Sequence, residues 1–490
     1  MYKDYKTNLR IIIVGTGSSG SITACYLSNI LPNSKITIID KEIPTIIGVG
    51  EGTTPNFNNL LQDCGLTYTD WFKQVDATFK WGIEFQNWGQ NKQSIWHPFI
   101  ADHDSITAFA RAELPINSFQ DYCFPLYQIL KERKNPILEP NYVFGYHIDA
   151  TKLAATLKRI NEARKNVNYV YSEIIGVQYN DKDITEIICK NAKSYTADIY
   201  VDCTGFTNVL SQHKKKIDLQ DTLFCNSAVV TQLPFNKTYQ PAPFTESVAC
   251  DHGWIWAIPT TSRLGTGLVF NRNITDIDLA VDELCSHWKK YNYNIDKSKV
   301  RFLKWDPFYL QDPWEGNCIT LGLGSAFVEP LEATSLIQLG FNLSRFGNNL
   351  FAYKDFKDKV QKEYNDYSNN LNQEIIDFIL LHYETNWTHS PFWQYVSNNF
   401  KKSYRATEFE SWMRDPSKAT NFVHDECHMF NFFNYTVWMA QQKQAIFNYA
   451  DGFSKEQAHN WLRQEIKDTI DKNKGAIGPL ELSSLICKKL

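Results

Sequence analysis

Gly15-Thr16-Gly17-Ser18-Ser19-Gly20 decides the fold, because of what stands on either side of it. The apolar run Leu9 to Val14 precedes it, Ser18 to Leu31 reads as a helix stopped by Pro32, and Lys35 to Asp40 is a second apolar run. Strand, glycine turn, helix and strand in that order open a doubly wound sheet. The glycines of G-x-G-x-x-G permit a tight turn and bring backbone N–H groups at a helix N-terminus close to a pyrophosphate. Asp40 ends the second strand 25 positions after Gly15, where a carboxylate accepts hydrogen bonds from a ribose. Alone the glycine pattern is weak; in this context it assigns Gly15, Gly17, Ser18, Ser19, Gly20 and Asp40 to a dinucleotide.

The chain does not go on as a plain nicotinamide dehydrogenase. Ile47-Gly48-Val49-Gly50-Glu51-Gly52-Thr53-Thr54-Pro55 adds a second glycine-rich loop, suited to passing backbone close to a bulky ring system. Two later stretches return to the nucleotide side: Ala197 to Phe206, a strand running into a Gly turn, and Asn317 to Phe327, a buried strand followed by another. Nucleotide-binding segments are therefore expected near 1–60, 150–210 and 315–345, with substrate-side insertions between them. Ile174, Leu323 and Leu336 fall in these segments and are counted with Glu51 and Gly52 as cofactor-side residues.

The 490 residues carry 50 Lys+Arg against 54 Asp+Glu, a net charge of −4, which gives no electrostatic footprint for nucleic acid or an anionic membrane. A small-molecule ligand fits better, and the 14% aromatic content suits both a large interior and a site for flat ligands. The eleven cysteines are scattered, with no Cys-x-x-Cys, and read as reduced thiols of a cytoplasmic protein. Met1 to Lys6 runs into a strand without room for a signal segment, and no stretch approaches the roughly 20 apolar residues that span a bilayer. His424, Cys427 and His428 have no second ligand pair at zinc-like spacing, so no metal is expected.

Gly253-Trp254-Ile255-Trp256-Ala257-Ile258-Pro259 places two indoles two apart, hence on one face of a strand, as a rigid apolar wall. Lys80 stands in the apolar, alternating run Ala77 to Trp88, where an inward-facing ammonium is costly unless it has a use. Phe327-Val328-Glu329-Pro330-Leu331-Glu332-Ala333-Thr334-Ser335 places a carboxylate just before a helix start. Together these stretches resemble the flavin-dependent tryptophan halogenases: the wall is similar to their WxWxIP, residues 47–54 to GVGEAT with Gly52 for Ala, residues 197–206 to DLFIDCSGF, and residues 327–335 to FVEPLEST(G). The likeness covers most of the chain to about Trp393, including His382-Tyr383 and Pro391-Phe392-Trp393, and then fades.

The resemblance implies an FADH2-dependent halogenase in which reduced FAD, O2 and a halide ion give hypohalous acid. This passes the Trp254/Trp256 wall between flavin and substrate to Lys80, which polarises it by a hydrogen bond or carries the halogen as a haloamine. Glu332, expected across the cavity from Lys80, takes the proton from the ring carbon, and its presence favours an indole-like substrate. The N–H groups of Thr334 and Ser335 are the expected halide site. His97-Pro98-Phe99 is similar to the His-x-Phe that sandwiches the indole, and Trp438 is expected to close the far side. The chain departs from the pattern at Ala333, for Ser, and Ser335, for Gly, which leaves halide preference open. The loop that holds a free amino acid is not recognisable in Met413 to Phe433.

From about Phe351 the pattern is helical and polar-aromatic, with helices expected over Tyr364 to Leu381, Phe392 to Phe400 and Phe432 to Tyr449. The expected organisation is a 1–350 FAD-binding halogenase module and a 351–490 helical module capping the substrate cavity. The fold class is α/β, a Rossmann-like, glutathione-reductase-type sheet. Partners are a separate NAD(P)H-dependent flavin reductase, since no second nucleotide motif is present, a small aromatic substrate, and a second copy of the chain in a homo-oligomer. Two other readings stay open: a flavin monooxygenase that hydroxylates an aromatic ring directly, and a flavin-binding structural or sensory protein.

Overall fold

A computed structural model describes residues 6–41, 48, 50–89, 92–99, 103–414, 429–443 and 454–490. The chain folds into two compact units, each drawn from three stretches: Met1–Asp76, Ile148–Asp221 and Asp306–Gln373 in the first, and Ala77–His147, Thr222–Trp305 and Glu374–Leu490 in the second. The expected 1–60, 150–210 and 315–345 segments all lie in the first unit, and of the expected C-terminal module residues 351–373 lie there too.

The first unit is built on a six-stranded sheet. Its order is Trp314–Glu315, Cys318–Thr320, Ile199–Asp202, Arg10–Val14, Lys35–Asp40, Val167–Tyr171. All neighbours are parallel except the Trp314–Glu315 edge, which is antiparallel. Central strands of a parallel sheet have no solvated face, which is why Ile11, Ile12, Ile13, Val201 and Ile319 are all buried. The helix Ser18–Ile30 follows the first strand. It is gripped by the helix Ser335–Leu350, where a Cβ on Gly347 would stand 2.8 Å from Tyr26 and from Ile30. A small antiparallel sheet, Ile174–Asn180, Asp183–Cys189 and Ser194–Tyr195, packs Ile184, Ile187 and Cys189 on Val14 and Ile39.

The second unit is built on a seven-stranded sheet in the order Arg301–Lys304, Ser227–Leu233, Leu264–Phe270, Gly253–Pro259, Thr245–Cys250, Gly82–Trp88, Gln93–Pro98. Thr245–Cys250 and Gly82–Trp88 run parallel, and the other pairs are antiparallel. One face carries Ile255, Ala257, Leu264, Leu268 and Phe270 against Ala280, Leu284 and Trp288 of the helix Ile277–Lys289. By the period-two rule Trp254 and Trp256 point to the other face.

The run Ala77 to Trp88 forms two strands. Thr78–Lys80 is one strand, paired antiparallel with Gly145–Ile148, and Gly82–Trp88 belongs to the seven-stranded sheet. The break is at Trp81, whose N–H leaves both ladders for the carbonyl of Pro243 at 2.9 Å and whose Nε1 donates to Asn135 at 2.7 Å. Alternation also fails on the first strand, because Thr78, Phe79 and Lys80 are all buried.

The C-terminal part is helical over Tyr353–His382, Pro391–Asn399, Tyr404–Arg414, Phe432–Lys443, Lys455–Lys472 and Pro479–Lys489. The expected helix to Tyr449 is described as far as Lys443, and most of the Met413 to Phe433 loop, with His424, Cys427 and His428, lies outside the described residues. Among the described residues no group of His, Cys, Asp or Glu is placed to hold a metal. No described helix is long and apolar enough to cross a membrane.

Candidate active site

On the first unit, three turns at the carboxyl ends of parallel strands come together, the position where open α/β sheets bind ligands. The Gly15–Gly20 turn leaves Arg10–Val14, the Cys203–Asn208 turn leaves Ile199–Asp202, and the Leu321–Ser325 turn leaves Cys318–Thr320. They are packed backbone to backbone. A Cβ on Gly15, at φ +103, would lie 2.5 Å from the carbonyl oxygen of Cys203, and one on Gly20 would lie 1.9 Å from that of Gly15. A Cβ on Gly322 would meet Ser19 Oγ at 2.1 Å, and Asn208 Nδ2 donates to the Gly324 carbonyl at 3.1 Å.

Gly17 differs from its neighbours: among the described residues, a Cβ there would meet nothing within 4 Å. The space is open at the first turn of Ser18–Ile30, where unpaired helix N–H groups and the helix dipole favour an anion. The turn leaves room at a helix start for an anionic group such as a pyrophosphate. Asp40 is more engaged than the sequence reading assumed. Its Oδ2 accepts from Thr16 N and Thr16 Oγ1, both at 2.6 Å, and its Oδ1 accepts from Lys41 N at 2.7 Å, so the carboxylate already braces the glycine turn.

Glu51 begins the short strand Glu51–Gly52 and is pushed up to about 7 by burial and then by the charge of Asp149. Ile174 packs on the cluster beneath the small antiparallel sheet, Leu323 is half-buried in its turn, and Leu336 is buried at the start of its helix. Glu332 is buried and sits at φ +67, followed by Ala333 at φ +56. Two successive side chains in the left-handed region cost energy that the surroundings must supply, and the turn delivers the chain into the helix Ser335–Leu350 with Thr334 as its N-cap. Thr334 and Ser335 therefore do open a helix.

On the second unit, side chains rather than turns make the site. Lys80 is fully buried, with Nζ 5.2 Å from the ring centre of Phe99. Trp254 and Trp256 are 3% and 8% exposed, with ring centres 6.2 Å apart. The Trp256 indole lies over Gly267 on the neighbouring strand, where a Cβ would come within 2.2 Å of it. Trp254 Nε1 donates to Tyr383 Oη at 3.1 Å. Tyr383 is itself packed by Trp88, Trp393 and Phe224, so the wall is fixed at both indoles.

His97, Phe99 and Trp438 divide. His97 is buried against Phe378, 5.2 Å between ring centres, and Phe99 is half-buried beside Lys80. Trp438, expected to close the far side of a pocket, is fully buried instead, 3.7 Å from the His382 ring and edge-on to Phe85 at 4.8 Å. It backs His97 at 6.5 Å as part of an aromatic core. The helix that carries it is fastened by a four-charge cluster in which Lys443 meets Glu410 at 2.7 Å and Glu384 at 3.3 Å, and Lys402 meets both acids. Burial opposes ionisation of Glu410, but bonds from Lys402 and Lys443 pull it down to about 2.

Sequence reasoning missed Asn434 and His147. Asn431 N donates to Asn434 Oδ1 at 2.9 Å, which turns Asn434 Nδ2 toward His97 Nε2 at 3.0 Å. His147 stands opposite Thr78 on the strand beside Lys80. Neither had a signal in the chain, since both act through partners far away in sequence.

A family model described as tryptophan halogenase matches residues 10–454. The chain belongs to the tryptophan halogenase family. It is 28% identical over 418 residues to tryptophan 6-halogenase ThaL of Streptomyces albogriseolus, covering 78% of each chain. It is 29% identical over 418 residues to tryptophan 7-halogenase RebH of Lentzea aerocolonigenes, covering 79% of this chain and 78% of that one. The fold is that of the tryptophan halogenase from Shewanella frigidimarina NCIMB 400, with a TM-score of 0.87 at 23% identity over 99% of this chain and 98% of that one. The chain is thus a halogenase-family enzyme of mixed α/β fold.

Proposed function

We propose that this enzyme uses FADH2, O2 and a halide ion to halogenate an electron-rich, indole-like aromatic, with reduced flavin supplied by a separate NAD(P)H-dependent reductase. The observation that carries the reading is a fully buried lysine beside an aromatic ring, on the unit that also bears two locked, adjacent indoles, in a chain of the tryptophan halogenase family. A buried ammonium is costly to keep unless it has a task.

The parallel sheet of the first unit is read as a Rossmann-like, glutathione-reductase-type FAD domain. Gly15, Gly17, Ser18, Ser19 and Gly20 would hold the pyrophosphate and Asp40 the ribose, with Glu51, Gly52, Ile174, Leu323 and Leu336 on the cofactor side. When bound, reduced flavin supplies, with O2, the oxidising power that turns halide into hypohalous acid. Thr334 and Ser335 N–H groups hold the halide at a helix start. The Trp254/Trp256 pair excludes water and keeps oxidant and aromatic apart. Lys80 places a positive hydrogen-bond donor against the hypohalous acid and makes its halogen electrophilic. Glu332 accepts the proton from the ring carbon once the halogen has added. His97 and Phe99 supply flat faces for the aromatic.

The test is a reductase-coupled assay with chloride or bromide and a panel of indoles and phenols. The expected result is a product whose mass carries the halogen isotope pattern. Hydroxylated product with no halogen would replace this reading by direct monooxygenation, and flavin turnover without any modified aromatic would reduce it to flavin binding.

A further inference from the structure

Lys80 sits at the end of a strand only three residues long, and three backbone pairs are a slight hold for a side chain that must meet a reactive species at a fixed place. The second fastening runs through Thr78. Side chains two apart on a strand share a face, so Thr78 and Lys80 lie side by side. Thr78 Oγ1 donates to the carbonyl of Pro259 at 2.6 Å, the last residue of the strand that carries Trp254 and Trp256. His147, fully buried, reaches Thr78 Oγ1 with Nδ1 at 3.4 Å and Thr245 Oγ1 with Nε2 at 2.9 Å.

The proton positions in this chain are determined. A carbonyl oxygen only accepts, so the Thr78 hydroxyl hydrogen is committed to Pro259 and Thr78 offers His147 a lone pair. His147 Nδ1 must then carry a hydrogen. Burial first, and the nearby Lys80 charge second, hold His147 well below its ordinary range and keep it neutral. Nε2 is therefore an acceptor for the Thr245 hydroxyl. One arrangement satisfies every group: Thr245 donates to His147, His147 to Thr78, and Thr78 to Pro259.

We infer that His147 is a positioning residue for Lys80, its Nδ1–H tying the lysine strand through Thr78 to the end of the wall strand. The inference rests on the proposed role of Lys80, and its test is built to be read without that role. In protein labelled with 15N at histidine, the His147 ring, assigned by its loss in His147→Asn, shows the neutral Nδ1–H form across about pH 5 to 8. An Nε2–H form, or ordinary titration to a cation in that range, would overturn the inference.

The paired variants separate positioning from folding. Asn at 147 offers an amide N–H at the place of Nδ1 and keeps the bond to Thr78, whereas Gln reaches the place of Nε2 and keeps only Thr245. Likewise Thr78→Ser keeps the hydroxyl and Thr78→Val removes it. His147→Gln and Thr78→Val are expected to lose roughly five- to tenfold in kcat, the equivalent of one hydrogen bond, at unchanged aromatic KM and flavin affinity, while His147→Asn and Thr78→Ser stay near wild type. In protein labelled with 13C at the lysine ε-carbon, the Lys80 resonance moves in the first pair and not in the second, whether or not halogenated product forms. Losses that follow melting temperature instead of the retained bond, or a Lys80 resonance that stays put in all four, would overturn it.

Discussion

The two units solve their problems with different materials. On the first, the turns at the strand ends are backbone stacked so closely that Gly15, Gly20 and Gly322 leave no room for a Cβ, whereas one on Gly17 or Gly205 would meet no described residue within 4 Å. On the second, the predicted residues are side chains buried at a cost: Lys80 without exposure, two indoles locked by Gly267 and Tyr383, and His147 held below its usual range by burial and the Lys80 charge. On the proposed function, the backbone turns receive an exchangeable cofactor, and the buried side chains hold a reaction that a small displacement would spoil. The comparison predicts that a substitution in the glycine turns should weaken cofactor binding and leave halogen transfer alone, and that one at Lys80 should do the reverse.

The largest expected effect is on the second unit. Lys80→Ala should lower halogenated product by about 10²-fold or more, since it removes the group that polarises the reacting atom. Flavin affinity should not change. Product at the wild-type rate would end the comparison.

On the first unit, Gly17→Val should weaken FAD binding at least about tenfold, equivalent to roughly 1.4 kcal/mol, by filling the space kept for the pyrophosphate. The fold should survive, because among the described residues a Cβ at Gly17 meets no atom within 4 Å. Flavin fluorescence titration beside a melting curve reads both outcomes.

Glu51 sharpens the contrast through pH. Its carboxyl is raised to about 7 by burial and Asp149, against about 4.3 in an unfolded chain. Folding favours the protonated form, so the stability it allows is complete below about pH 4.3 and is lost as pH rises through about 7. Glu51→Gln stays neutral throughout. The variant should match wild type near pH 4.5 and exceed it by about 1–3 kcal/mol at pH 8, a figure kept low because the group is partly exposed. Denaturant unfolding at several pH values measures it.

The smallest effect concerns Ala333, at φ +56 beside Glu332. The motif that residues 327–335 resemble has Ser there. With Ala there is more room and one fewer hydroxyl, so a larger, more weakly hydrated halide should lose less on entry. Ala333→Ser should shift competition toward chloride by less than about tenfold, under 1.4 kcal/mol. Equal product ratios from chloride and bromide in the two proteins would remove Ala333 as a determinant.

The same division explains what could be read from the chain. Arg10–Val14, Ser18–Ile30 and Lys35–Asp40 match the strand, helix and strand expected around the glycines because each is fixed by local pattern. The face of Trp254 and Trp256 follows from period two for the same reason. The break of the lysine run at Trp81 was not legible, because the Trp81 N–H goes to Pro243, a partner over 160 positions away that no local alternation reports. Trp438 was taken for a pocket wall because an aromatic that lines a site and one that fills a core have the same pattern, and only its contacts with His382 and Phe85 decide. His147 and Asn434 were invisible for want of any pattern, since their roles lie in hydrogen bonds to Thr78, Thr245 and His97.

The division of labour is tested most directly in Lys80→Ala with the reductase, bromide, an indole and a β-diketone that traps hypohalous acid. The expected result is wild-type consumption of O2 and hypohalous acid recovered in the trap, with the indole unmodified. Loss of trapped hypohalous acid together with product would place Lys80 in the flavin half of the reaction and contradict the account.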